Sequence, residues 1–480
     1  MMAGMDSPVD QDVLIVGAGL SGIGMAAHLQ MHSPDRSFAL VERRANLGGT
    51  WDLFRYPGIR SDSDMHTLGF VFEPWRHEKS IADGPSILEY LNRIVDERGI
   101  REHIRFNNKV VGADWDSAAA RWTVTMEDDK GAVSTTTARW LYLGSGYYDY
   151  DEPFDANFTG REDFAGQIIH PQFWPKDFDY SGKKVVVIGS GATAVTIVPS
   201  MADKAAHVTM LQRTPTWYAI RPAKDGFANF LRKILPEKTA YRLTRFKNIR
   251  LQDIVFRRAR EKPEKVAEFL TKKLKQALGD RYDPVAFTPP YNPWDQRLCL
   301  VPDADFFEAM KAGKASVVTD HIERFDKTGI QLKSGQHLDA DVIITATGLK
   351  LAVAGKIPVR VDGEPVAWNE HFYYKACMFS NVPNFSVVFG YLNASWTLRA
   401  DIVSEYVCRV LNHMRDTGTT VATPLLADPT SLTEENIFDF SSGYIQRALH
   451  IMPKNADKLP WRLSQNYVQD RIDMRTGPVD

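Results

Sequence analysis

Two glycine clusters carry the first chemistry in this chain, Gly17-Ala-Gly19-Leu-Ser-Gly22 and Gly189-Ser-Gly191-Ala192-Thr193-Ala194, about 170 residues apart. Each has the spacing in which one glycine permits a tight turn and the next lets the backbone approach a pyrophosphate. The third position, Gly22 or Ala194, admits close packing of a helix on a strand. The open N–H groups of that helix then face the phosphates. Two such clusters on one polypeptide imply two dinucleotides. Glu42, twenty residues after Gly22, can accept ribose hydroxyls and would repel a 2′-phosphate, so the first cluster fits FAD or NAD better than NADP. The run after the second cluster ends Gln212-Arg213-Thr214, with no acid. A guanidinium fork grips a 2′-phosphate and the hydroxyl adds a bond, which predicts NADP there. The plainer reading of Arg213 is an exposed surface residue.

Further along stand Gly48-Gly49-Thr50-Trp51 and Arg55-Tyr-Pro-Gly58-Ile-Arg-Ser-Asp62. Glycines here would let the chain pass closely over a flavin, although the residues alone read equally as a Gly/Pro loop. Between the two clusters lies Phe164-Ala-Gly166-Gln-Ile-Ile-His170-Pro-Gln-Phe-Trp174-Pro175, of the form F-x-G-x-x-x-H-x-x-x-W-P. This string resembles the signature of the type I Baeyer–Villiger monooxygenases. The stretches 52–64 and 291–302 look like the shorter subgroup that includes the ethionamide-activating monooxygenases, and the likeness runs from about residue 11 to 470.

That resemblance implies FAD and NADPH as cofactors, and O2 with a small ketone or sulfide as substrates. In the implied cycle NADPH reduces the flavin and stays as NADP+. Reduced flavin and O2 give a C4a-peroxide, which attacks a carbonyl to yield an ester or lactone; once protonated, it oxidises a sulfide. The resemblance places Asp62 beside an active-site arginine, which is best matched by Arg297 in Tyr291-Asn-Pro-Trp-Asp-Gln-Arg297-Leu. A permanently charged guanidinium would stabilise the anionic oxidant, and Asp62 would orient it. Asp62 and Arg297 are therefore the expected catalytic pair. Gly49, Thr50 and Trp51 fall in the family's second flavin segment, and Val110 falls where a main-chain group meets adenine. Gly348 and the stretch from Gly390 to Trp396 are expected to line the cofactors. Trp461 resembles the tryptophan of a mobile loop that folds over the nicotinamide. Where the family commonly has a lysine before the arginine, this chain has Gln296. NADPH preference then rests more on Arg213 and Thr214, with a smaller margin over NADH. His170 reads as a structural residue of the inter-domain connection rather than a general base.

These residues need strands and helices to hold them. Asp12-Val-Leu-Ile-Val16 is an apolar run ending at a glycine, a helical stretch follows from Leu20 to about Met31, and Phe38–Glu42 reads as the next strand. Lys183–Ile188, Val195–Val198 and His207–Leu211 repeat the pattern. Residues 104–143 alternate as an antiparallel excursion, 225–280 have helical spacing, and Asp341–Gly348 returns the chain to a sheet. The expected class is α/β, with two Rossmann-like dinucleotide-binding domains and a helical insertion. The FAD-binding domain is assigned to 8–150 and 380–480, the NADP-binding domain to 151–222 and 325–379, and the insertion to 223–324.

The length of 480 residues suits two or three domains, and 44% hydrophobic with 25% charged residues excludes a disordered or fibrous class. A net charge of −2 gives no reason to expect nucleic acid. Locally, residues 221–280 hold 17 Lys/Arg against 7 Asp/Glu. The plain reading is a solvated helical face; the sharper one is a surface that attracts NADPH or an acidic membrane. Cys299, Cys377 and Cys408 lie far apart, which argues against a disulfide framework, a zinc site or a dithiol centre. With no signal segment and no apolar run of membrane-span length, a cytoplasmic location is expected. Two rival functions share the paired clusters: a flavin monooxygenase acting on nitrogen or sulfur without ketone activity, and a non-catalytic FAD/NADPH redox sensor. The oligomeric state is not legible.

Overall fold

The computed structural model describes residues 9–296, 298–438 and 440–479. Two sheets organise the chain. In the first, the strand Gln11–Val16 lies parallel to Phe38–Val41 on one side and to Val133–Leu143 on the other. The helix Leu20–His32 crosses between the first two strands and is buried at ten successive positions, Leu20 to Leu29. It is covered on its outer side by the helix Trp396–Thr417, which is why its sequence shows little amphipathic contrast. Asn108–Asp116, Arg121–Asp128 and Val133–Leu143 form the expected antiparallel excursion and extend the same sheet.

The second sheet is wholly parallel, in the order Ala315–Thr319, His207–Gln212, Lys184–Ile188, Val342–Thr345, Gln167–Ile169. Its central strand shows why the run reads as continuously apolar. Val185 and Val187 point into one cluster with the helix Ala192–Met201, while Val186 and Ile188 point into another with Phe164 and Phe325. Both faces are covered, so both phases of the strand must be hydrophobic. The Phe164–Pro175 string builds this sheet: Gln167–Ile169 is its edge strand, and a Cβ on Gly166 would stand 2.4 Å from the Asp341 carbonyl oxygen.

The helical segment comprises Gly226–Ile234, Glu237–Glu261 and Pro263–Leu278. Strand pairing departs from the expected division at two places. Ala315–Thr319, counted with the insertion, is an edge strand of the second sheet. Val359–Val361, counted with the second domain, pairs with Asn108–Asp116 of the first. Both are short strands whose partners lie more than a hundred residues away, beyond the reach of local composition.

Candidate active site

The first glycine cluster is a cradle closed by backbone. Gly17 has φ +98°, and a Cβ there would lie 2.8 Å from the Gly144 carbonyl oxygen. A Cβ on Gly22 would lie 1.8 Å from the Gly17 carbonyl oxygen, so the helix start touches the end of its strand. Gly49, at φ +56°, faces Gly19 closely enough that a Cβ would meet its Cα at 3.1 Å. The backbone of the second flavin segment thus passes directly over the first turn.

Gly17, Gly19, Glu42, Gly49, Thr50, Trp51, Asp62, Val110, Ala192 and Thr193 all line one cavity of about 340 Å³. It runs from the first glycine cluster to the start of the helix that follows the second. Glu42 is buried at its rim, where its two carboxylate oxygens accept the N–H groups of Ala18 at 2.8 Å and Arg44 at 2.9 Å. Burial pushes its pKa up, and those two N–H bonds oppose the shift. Tyr56 spans the two units. Its hydroxyl bonds the side chain of Thr193, and burial, against that bond, pushes its pKa up to about 12, so it stays neutral. Burial likewise raises Tyr150 to about 12, with its hydroxyl 3.3 Å from Thr50 Oγ1.

The loop carrying Asp62 is wedged between the nucleotide units. Gly58, at φ +75°, packs so tightly on the helix Ala192–Met201 that a Cβ would fall 1.8 Å from Ser200 Oγ. Arg60 forms an ion pair with Asp305 on the far side. Asp62 itself is exposed on the cavity wall. Arg297, its expected partner, lies outside the described residues.

The second cluster is assembled beside its expected selectivity residues. Gly189, at φ +131°, abuts the Ala346 carbonyl, and Gly191 caps the helix Ala192–Met201. Ser190 Oγ donates to the Thr214 carbonyl at 2.9 Å, which holds Arg213 and Thr214 next to that turn. Arg213 is exposed at the end of its strand. His170 Nδ1 accepts the Gln172 N–H at 3.2 Å, and Gln172 in turn donates to the Asp149 carbonyl. Burial lowers the His170 pKa despite the opposing backbone of Gly348, so a neutral ring caps this turn. Gly348 lies by Arg447 and Tyr444, off the cavity wall. Trp461 is likewise away from that wall, packed with Phe372, Ala456 and Tyr374.

The sequence reading missed the segment Gly144–Asp151, which supplies Ser145, Tyr147, Tyr148 and Tyr150 to the cavity. Its Gly-Ser-Gly start after an apolar strand was the available signal. Among the described residues no group of three or more His, Cys, Asp or Glu is placed to hold a metal, and Cys299, Cys377 and Cys408 are buried and joined in no disulfide.

Fold and site together define a flavoprotein oxidoreductase with paired dinucleotide units. Residues 14–244 match the sequence profile of the family described as pyridine nucleotide-disulphide oxidoreductase. The chain is 51% identical over 472 residues to the "FAD-containing monooxygenase EthA" of Mycobacterium tuberculosis, covering 98% of this chain and 96% of that one. It is 48% identical over 471 residues to the "Probable FAD-binding monooxygenase AlmA" of Acinetobacter baylyi, covering 98% and 94%. A crystal structure of cyclohexanone monooxygenase bound to epsilon-caprolactone shares the fold, with a TM-score of 0.76, 20% identity and 97% of each chain covered. The chain belongs to the family of FAD-containing monooxygenases that includes EthA, MymA and AlmA.

Proposed function

We propose that this flavin-dependent monooxygenase uses NADPH and O2 to insert one oxygen atom beside a ketone carbonyl, giving an ester or lactone with NADP+ and water, and that it oxidises sulfides to sulfoxides. The carrying observation is the single cavity that joins the first glycine cradle, Asp62 and the start of the second nucleotide helix. The residues present fit a flavin dinucleotide. Gly17, Gly19 and Gly49 line the cavity with backbone and no side chain, and Ser145 on the same wall has a buried hydroxyl with no partner among the described residues.

Bound FAD, once reduced by NADPH, supplies the activation of O2. The chain supplies the rest. Gly17 and Gly19 offer N–H groups to the pyrophosphate, Glu42 takes the ribose hydroxyls, and the main chain at Val110 takes the adenine. Gly49, Thr50 and Trp51 close over the flavin, and Tyr56 keeps its proton and ties the flavin side to Thr193. Arg297, oriented by Asp62, stabilises the negative charge that develops on the former carbonyl oxygen. Gly189, Gly191, Ala192 and Thr193 receive the NADPH pyrophosphate, with Arg213 and Thr214 on its 2′-phosphate.

Two results follow. Arg297→Ala lowers ester formation from a ketone panel by about 10²–10³-fold while flavin content stays at the wild-type level. Product formation within a few-fold of wild type would remove Arg297 from the chemistry. Arg213→Ala raises the KM for NADPH by roughly tenfold, about 1.4 kcal/mol, and leaves the KM for NADH unchanged. An equal change for both cofactors would place the 2′-phosphate elsewhere.

A further inference from the structure

The first helix of the insertion is amphipathic in an unusual sense. Gly226–Ile234 buries Ala228 and Leu231, yet the stripe beside them leaves Phe227, Phe230 and Ile234 at 44%, 58% and 59% exposure. These sit at i, i+3 and i+7, one stripe of the helix. The helix Glu237–Glu261 packs against it and adds Leu243, Phe246 and Ile254 on its own exposed stripe. Cations are interleaved with this apolar surface. Lys247 Nζ lies 4.7 Å from the Phe227 ring centroid, and the Arg250 guanidinium 5.5 Å from that of Phe246.

The charge on this hairpin is one-sided. Asp225 is taken by Lys247 at 2.9 Å and Asp253 by Arg257 at 2.8 Å. Lys233, Arg242, Arg250 and Arg258 are exposed and have no ion pair among the described residues. Exposed aromatic rings among unpaired guanidinium groups suit the headgroup boundary of a bilayer, where rings enter the acyl edge and long cationic side chains reach the phosphates. A second copy of the chain would set this positive surface against itself, a repulsive pairing. No helix among the described residues is long and apolar enough to cross a membrane, so the contact would be peripheral.

We propose that the hairpin formed by Gly226–Ile234 and Glu237–Glu261 docks the protein on an anionic lipid bilayer, with Phe227, Phe230 and Phe246 in the interface and Arg250 and Arg258 on lipid phosphates. The test is cosedimentation of the full chain with vesicles of phosphatidylcholine, with and without phosphatidylglycerol. The protein pellets with the anionic vesicles, is released by high salt, and stays in solution with the neutral ones. Phe230→Ser/Phe246→Ser and Arg250→Glu/Arg258→Glu each weaken binding by about tenfold or more, with flavin content and melting temperature unchanged. Absence of pelleting, or equal pelleting with neutral vesicles, overturns the proposal. So does a wild-type dimer in light scattering that the phenylalanine variant splits, since the face would then join two copies of the chain.

Discussion

Gly22→Ala yields a protein that emerges from purification with almost no flavin. The added methyl carbon would stand 1.8 Å from the Gly17 carbonyl oxygen and 3.2 Å from Ile15 Cγ2. The first obstacle is backbone and cannot rotate aside. The helix start must lift from the strand Gln11–Val16, and with it the N–H groups proposed to receive the phosphates. Such overpacking costs about 1–3 kcal/mol, and here it falls on the turn proposed to hold the pyrophosphate. Gly112→Ala is the control, because a Cβ there meets nothing within 4 Å; it retains flavin as the wild type does. Absorbance of bound flavin per polypeptide reads both. A Gly22→Ala protein with full flavin content would show that the first turn is not the phosphate cradle.

Removing Arg245 destabilises the protein more than any surface change on the insertion. This side chain is 5% exposed and reaches from the helix Glu237–Glu261 into the first domain. Its Nη1 donates to the carbonyls of His66 at 2.9 Å and Gly69 at 2.7 Å, and its Nη2 lies 3.1 Å from Asp401 Oδ2. Asp401 also meets His28 Nε2 and the Val71 N–H, each at 3.1 Å. Truncation to Met leaves a buried carboxylate short of its cation, a loss of about 3–5 kcal/mol. Arg245→Met therefore lowers the melting temperature by several degrees, and Arg245→Met/Asp401→Asn costs less than the sum of the two single variants. Strict additivity would mean that the pair does not interact. The consequence extends to the site: the carbonyls that Arg245 holds end the short helix Met65–Leu68, which Asp64 caps two residues after Asp62.

What the sequence disclosed and what it concealed divide along locality. The strands Gln11–Val16 and Lys184–Ile188 were legible because each is an apolar run that stops at a glycine, and burial on both faces leaves no polar phase to confuse the reading. Glu42 and Arg213 stood out as candidate selectivity residues because each follows its cluster at a similar distance, and the structure puts Glu42 on the cavity wall. The close approach of Gly49 to Gly19 was suggested by glycine content, but the contact itself required the fold. Gly144–Asp151 escaped notice because its role depends on the parallel pairing of Val133–Leu143 with Gln11–Val16, which no local pattern encodes. The same holds for Ala315–Thr319, five residues whose partner strand is His207–Gln212. Trp461 was singled out by its type and context for a place over the nicotinamide, but its packing against Tyr374 and Phe372 could be seen only in the fold. A tryptophan's sequence neighbours do not say which apolar surface it covers.

The central claim is that the cavity between the two nucleotide units transfers one oxygen atom from O2 to a carbonyl carbon skeleton. The most direct measurement is turnover of the FAD-loaded enzyme with NADPH, a ketone panel and 18O-labelled O2, followed by mass spectrometry of the products. The account predicts an ester or lactone carrying one labelled oxygen, formed in step with NADPH oxidation. NADPH oxidation that yields only hydrogen peroxide, or oxygenation confined to amines and sulfides, would contradict it.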